Sequence, residues 1–176
     1  MKRLVYVSGM PGAGKTTLAY PLAAELGYSL VTKDMLKEQL HDVLYTADAE
    51  PDLAWSRQLG AASMELLWTL AASAGDMVIE ANFRPRSAYE RERLLGLGGC
   101  PVEVHCACPL DVAIARYKTR PRHPVHATAA RSPETDLAEF GQPVGIGSLI
   151  TVDTANHADV PALASEVRRL HARAQR

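Results

Sequence analysis

Residues 9–16 read Gly-Met-Pro-Gly-Ala-Gly-Lys-Thr, an unbroken G-x-x-x-x-G-K-[ST] pattern. Glycines at 9, 12 and 14 let the backbone turn tightly enough for successive N–H groups to converge on a phosphate. The flanks fix the architecture around that loop. Leu4-Val5-Tyr6-Val7 is a short β-rich apolar run, and Thr16-Thr17-Leu18-Ala19 opens a helical pattern that ends near Leu26-Gly27. Strand, glycine loop and helix in that order begin a parallel α/β unit, with the loop at a helix N-terminus whose dipole favours anions. The pattern predicts that Gly9, Met10, Pro11, Gly12, Ala13, Gly14, Lys15, Thr16 and Thr17 bind a nucleoside triphosphate. Lys15 is expected to reach its β- and γ-phosphates, and Thr16 to ligate Mg²⁺.

Composition narrows the class of protein. A chain of 176 residues can bury one good core and is too short for two ordinary domains. Apolar residues make up 47% and charged residues 22%, the balance of a soluble globular protein. A net charge of -1 gives no global attraction to nucleic acid or to an anionic membrane. No apolar run approaches membrane-spanning length, and the one behind Met1-Lys2-Arg3 stops at Gly9, too short for a secretory signal. The expectation is a cytoplasmic protein without a membrane partner, as a monomer or homodimer. Cys100, Cys106 and Cys108 lack metal-ligand spacing. Cys106 and Cys108 would share one face of a strand, as reduced core residues.

Strand-like and helix-like patterns alternate along the chain. Strands are expected at 28–32, 77–81, 102–108 and 149–152, and helices at 34–44, 51–74, 85–97, 110–119 and 161–172. In the long helix, Leu59, Ala62, Leu66 and Leu70 read as the buried face. Such alternation argues for a parallel sheet with helices on both faces, whose ligands bind beyond the carboxyl ends of the strands. Between the fourth and fifth strands runs an irregular stretch, Arg120-Pro121-Arg122-His123-Pro124-Val125-His126, followed by Pro133, Gly141, Pro143, Gly145 and Gly147. Irregular segments this long are commonly functional, and a lid at about 116–131 over the phosphates is the reading taken.

Three further features separate a phosphotransferase from other users of such a loop. Asp34, in Lys33-Asp34-Met35-Leu36-Lys37, follows the second strand and is placed to orient and deprotonate a hydroxyl. The same residue also suits the N-cap of the next helix. Lys37, one turn on, is a candidate contact for an anionic substrate group. Glu80 closes the third strand and would organise Mg²⁺ together with Thr16; Asn82 and Arg84 behind it are candidate acceptor contacts. The third feature is basic: Arg116, Lys118, Arg120, Arg122, His123 and His126. Arg116 and Arg120 share a helix face, so one could stack on a base while the other meets the transferring phosphoryl group. Arg122 is a further substrate contact. A metal site at His123 and His126 is not expected, because no other ligands accompany them in sequence.

These segments, in this order, resemble P-loop kinases of the polynucleotide-kinase and zeta-toxin group, AAA-type ATP-binding proteins. The resemblance covers roughly residues 3–126. It implies a three-layer P-loop NTPase sandwich, with a five-stranded parallel sheet of order 2-3-1-4-5 and helices on both faces. It also implies ATP and Mg²⁺ as donor, and an acceptor hydroxyl beside Asp34. That group often carries Arg where this chain has Lys37, and a lysine lacks the forked contact that suits a nucleotide phosphate. The expected function is therefore ATP-dependent phosphorylation of a hydroxyl on a small molecule, by one domain spanning residues 1–176. Lys15, Asp34 and Arg120 are its expected catalytic residues. A 5′-hydroxyl polynucleotide kinase is the alternative, disfavoured by net charge and by only 6% aromatic residues. A non-catalytic ATP-binding switch is the other. The acceptor, and whether Trp55 and Arg57 line its pocket, stay open at this level. ATP over GTP rests on the resemblance, although no guanine-reading N-K-x-D element is present.

Overall fold

In β1 (Arg3–Ser8) every residue from Leu4 to Val7 is fully buried, Val5 and Val7 packing on one side of the sheet and Leu4 and Tyr6 on the other. A strand with both faces covered belongs at the centre of a parallel sheet. The structure, a computed structural model, describes residues 2–45, 52–126 and 140–174. After β1 come α1 (Lys15–Leu26), β2 (Ser29–Thr32), α2 (Lys33–Leu44), α3 (Leu53–Ser73) and β3 (Met77–Glu80). There follow α4 (Ala88–Gly96), β4 (Cys100–Ala107), α5 (Leu110–Thr119), a 3₁₀ turn at Pro124–His126, β5 (Ser148–Asp153) and α6 (Val160–Arg173). The strands pair in parallel in the order β2-β3-β1-β4-β5, the order that the resemblance implies.

Two apolar layers cover the sheet. On one side Val5, Val7, Val102 and Val104 pack against Leu18 and Leu22 of α1 and Leu163 and Val167 of α6. On the other, Leu4, Tyr6, Val31 and Ile79 meet Leu67 and Trp68 of α3, Leu94 of α4, and Val144 and Ile146. Cys106 and Cys108 are free, buried thiols in the first layer, and burial pushes Cys106 up to about 12.

Element types match the sequence patterns, with two instructive departures. The helix expected from Pro85 begins at Ala88, because the Ser87 hydroxyl accepts from the Glu90 N–H and caps it. In α3 the buried face is Ser56, Leu59, Ser63, Leu67, Trp68 and Ala71, so of the expected Leu59, Ala62, Leu66 and Leu70 only Leu59 is buried. Leu66 and Leu70 are substantially exposed. Ser63 tolerates burial because its hydroxyl donates to the Leu59 carbonyl at 2.6 Å, so a polar residue hides in the core stripe and misleads a count of apolar positions.

β4 carries a fully buried carboxylate, Glu103. Its oxygens accept from the Ser8 hydroxyl at 2.5 Å and from the Val144 and Gly145 backbone N–H groups, each at 2.8 Å. The Tyr6 hydroxyl lies 2.9 Å from Glu103, 2.6 Å from the Ile146 carbonyl, and accepts from the Ile146 N–H. A buried charge is tolerable when its acceptor positions are filled in this way. The arrangement ties the stretch entering β5 to the central strand.

Candidate active site

At the carboxyl end of β1 the chain passes through Gly9, Gly12 and Gly14, with φ of 132°, 84° and 82°. A Cβ on Gly12 would lie 2.2 Å from the Ala113 carbonyl oxygen of α5, and one on Gly9 2.7 Å from that of Cys106. The loop is therefore pressed onto β4 and α5, and only glycine fits there. α1 starts without a side-chain cap, whereas α2, α3, α4 and α6 each have one. The first N–H groups of α1 are left for a ligand, as phosphate binding requires. Pro11, Gly12, Gly14, Lys15, Thr16 and Thr17 line the cavity above. Gly9, Met10 and Ala13 do not; Ala13 is in the core and Met10 packs against it.

Lys15 is buried, and its ammonium donates to the Met10 carbonyl at 3.1 Å, folding back across the loop. Burial pushes it down, while Glu80 pulls it up. Glu80, at the end of β3, is likewise buried and is pushed up by burial, with Lys15 opposing. The Thr16 hydroxyl donates to Glu80 at 3.1 Å. A hydroxyl and a buried carboxylate side by side are hard oxygen donors next to a phosphate cradle, a set that fits Mg²⁺.

β2 delivers Asp34 to the same cavity. The cap role that competed for Asp34 is taken by Thr32, whose hydroxyl accepts from the Met35 N–H at 3.1 Å. Asp34 is thus free to face inward, where Arg120 lies 3.7 Å away. Lys37 lies behind it, buried, its ammonium donating to the Ser56 hydroxyl at 2.8 Å. Ser56 in turn donates to the Val125 carbonyl at 2.8 Å. Asn82 and Arg84 also line the cavity, Arg84 beside Glu90 at 3.6 Å.

The basic residues after β4 separate into different tasks. Arg116 donates to the Thr154 and Ala155 carbonyls at 2.7 and 3.1 Å, so it braces the loop after β5 while still lining the cavity. Arg122 donates to the Tyr117 carbonyl and stacks on the Tyr117 ring at 3.5 Å. His123 and His126 turn away from open solvent toward α2, 2.9 Å from Asp42 and 3.1 Å from Glu38. His41, Asp42 and His123 bring ligand atoms within 4.8 Å of one another. Nδ1 of His41, however, already accepts the Trp55 indole N–H at 3.2 Å. Of the expected lid, residues 116–126 are described and 127–131 lie outside the described residues.

The cavity, about 810 Å³, brings together the phosphate loop, Glu80, Asp34, Lys37, Asn82, Arg84, Arg116, Arg120, Arg122 and His126, whereas Lys118 and His123 do not line it. Sequence reasoning missed several of its walls: Lys33, Ser56, Gly60, Met64, Glu65, Tyr89 and Tyr117. Arg57 lines the cavity and Trp55 does not. Among the described residues, no helix is long and apolar enough to cross a membrane.

A family model described as an AAA domain matches residues 4–140. No curated protein matches the sequence. Among solved structures, a candidate kinase from Chloroflexus aurantiacus J-10-fl is 32% identical, with 96% of this chain and 97% of that one covered and a TM-score of 0.79. A shikimate kinase from Acinetobacter baumannii, solved with shikimate, is 22% identical over 97% of this chain and 93% of its own, with a TM-score of 0.61. A sugar kinase from Janibacter sp. HTCC2649 is 21% identical over 99% and 92%, with a TM-score of 0.58. The last two establish a shared fold. With the family model covering most of the residues that build the loop, the sheet and the cavity, the chain belongs to the AAA domain family and has the fold of the P-loop kinases.

Proposed function

We propose that this protein is an ATP-dependent kinase that transfers the γ-phosphate to a hydroxyl group of a small molecule. The carrying observation is that one cavity holds the phosphate loop and, 3.7 Å apart, the carboxylate of Asp34 and the guanidinium of Arg120. A loop alone binds nucleotide; a carboxylate and an arginine facing each other beside it supply the two things transfer needs. Asp34 orients the acceptor hydroxyl and takes its proton. Lys15 and Arg120 hold the phosphoryl group as negative charge spreads over its oxygens, a loose transition state that rewards positioning over basicity. Thr16 and Glu80 would hold Mg²⁺, which when bound neutralises phosphate charge. Arg116, braced on the loop after β5, is the arginine assigned to stack on the nucleotide base. The segment at about 116–131 acts as the lid of a single domain.

The matched kinases named for shikimate and for a sugar support a small acceptor. The motif order resembles that of the polynucleotide-kinase and zeta-toxin group within that fold. A 5′-hydroxyl oligonucleotide is less well served. Trp68 is buried in the core and Trp55 is bonded to His41, so neither offers a stacking platform in the cavity.

The test is transfer of label from γ-labelled ATP into a broad pool of metabolites and 5′-hydroxyl oligonucleotides, with wild type beside Asp34→Asn. Label in a small molecule is expected, with kcat reduced about 10²–10⁴-fold by the substitution, the usual worth of a positioned base. Tight ATP binding with no labelled product from the wild type would favour an ATP-binding switch instead. Equal label from both proteins would remove Asp34 from the reaction.

A further inference from the structure

Among the described residues, the cavity lining also carries positive charge that no carboxylate answers. Its other arginines are engaged: Arg120 with Asp34, Arg84 with Glu90, Arg116 with two carbonyls, and Arg122 with Tyr117. Glu65, another acid of that lining, is taken by Arg93 and Tyr89. Lys33, Lys37 and Arg57 are left, and among the described residues none of the three has a carboxylate within ion-pairing distance.

Lys37 is the most telling of them. It is 8% exposed, and the Ser56 hydroxyl meets one of its three N–H donors with a neutral oxygen. Lys33 lies one helical turn away, a like charge that lowers the Lys37 ammonium further after burial has already done so. Both sit in the opening turns of α2, whose positive dipole end gives a cation no support. Burial and the Lys33 charge both act against the Lys37 ammonium, with Asp34 and Glu38 opposing them. A negative group bound beside Lys37 would add to that opposing pull and favour the charged form.

We propose that Lys33, Lys37 and Arg57 form an oxyanion subsite for the acceptor, which is therefore a hydroxyl compound carrying a carboxylate or a phosphate group. The inference rests on the phosphotransferase reading, in which Asp34 fixes the end of the acceptor that faces the donor. The three cations line the same cavity as Asp34. They offset the repulsion that a negative acceptor meets beside a triphosphate.

A matched set of three-carbon acceptors tests this: glycerol, glycerate and glycerol 3-phosphate, titrated calorimetrically into protein saturated with Mg²⁺ and a non-hydrolysable ATP analogue. The analogue fills the donor phosphate positions, so an anion cannot score by binding there. At least one charged compound is expected to bind about tenfold or more tightly than glycerol, and which one does so separates carboxylate from phosphate recognition. That preference should collapse in Arg57→Gln, an exposed side chain whose loss leaves the core intact, and in Lys37→Met. Arg168→Gln, on the α6 surface, removes the same charge elsewhere and should keep it. Lys37→Met should also melt higher than wild type without anion, and lose the rise in Tm that the anion gives wild type. Glycerol binding as well as both anions, no detectable binding of either anion, or a preference that survives Arg57→Gln and Lys37→Met, would overturn the subsite alone. Failure of the wild type to bind the ATP analogue would overturn the kinase reading, and the subsite with it.

Discussion

Gly12 shows how little freedom a single residue has at this site. Its left-handed backbone and the Ala113 carbonyl, 2.2 Å from where a Cβ would stand, mean that any side chain must move either the loop or α5. Gly12→Ala is expected to weaken ATP-analogue binding more than tenfold and to lower stability by about 1–3 kcal/mol, the range for strain at a special backbone position. Calorimetry and urea unfolding of the same sample check both. Single residues were unevenly legible in the sequence. The loop and Glu80 could be read because their chemistry demands fixed types at fixed spacing after a strand. Asp34 could be read as a base, a cap or both, and in the structure the cap is Thr32. The partner of Lys37 was not legible, since Ser56 lies nineteen positions away and a serine in a helix announces nothing about its neighbour.

At the level of elements, α2 is a ruled edge. Asp34, Glu38 and Asp42 recur every fourth residue and meet Arg120, His126 and His123 from the stretch after α5. The Lys37–Ser56–Val125 chain crosses the same seam, linking α2, α3 and the 3₁₀ turn. Ser56→Ala would leave a buried ammonium and the Val125 carbonyl each without a partner, at a cost of about 1–3 kcal/mol. Urea unfolding should show it as a lower midpoint at unchanged slope. A variant as stable as wild type would mean that water replaces the hydroxyl. Helix existence was legible here from periodicity, yet the buried side of α3 was not. Its core stripe contains Ser56 and Ser63, while Leu66 and Leu70 face out, so apolar counting selected a face rotated by one residue.

For the molecule as a whole, acid is the expected weakness. His105, His126 and His171 are all held below their ordinary value of 6.5, burial being the first cause in each. The unfolded chain therefore binds these protons more readily than the folded one. The stability they contribute is present above about pH 6.5 and is lost as pH falls below it. Tm should drop between about pH 7.5 and 5.5, with a shallower slope in His171→Gln. A flat profile over that range would show that the three rings are protonated without loss of structure. Sheet order was legible only through the resemblance, since no local pattern records which strands become neighbours, and the buried carboxylate of β4 was not legible at all. Glu103 has a consequence of its own. It pins Val144 and Gly145, while Ser56 pins Val125, so the chain is moored on both sides of the stretch between them. Each mooring holds one end by itself: losing Ser56 releases Val125 and leaves Val144 and Gly145 held, and losing Glu103 does the reverse.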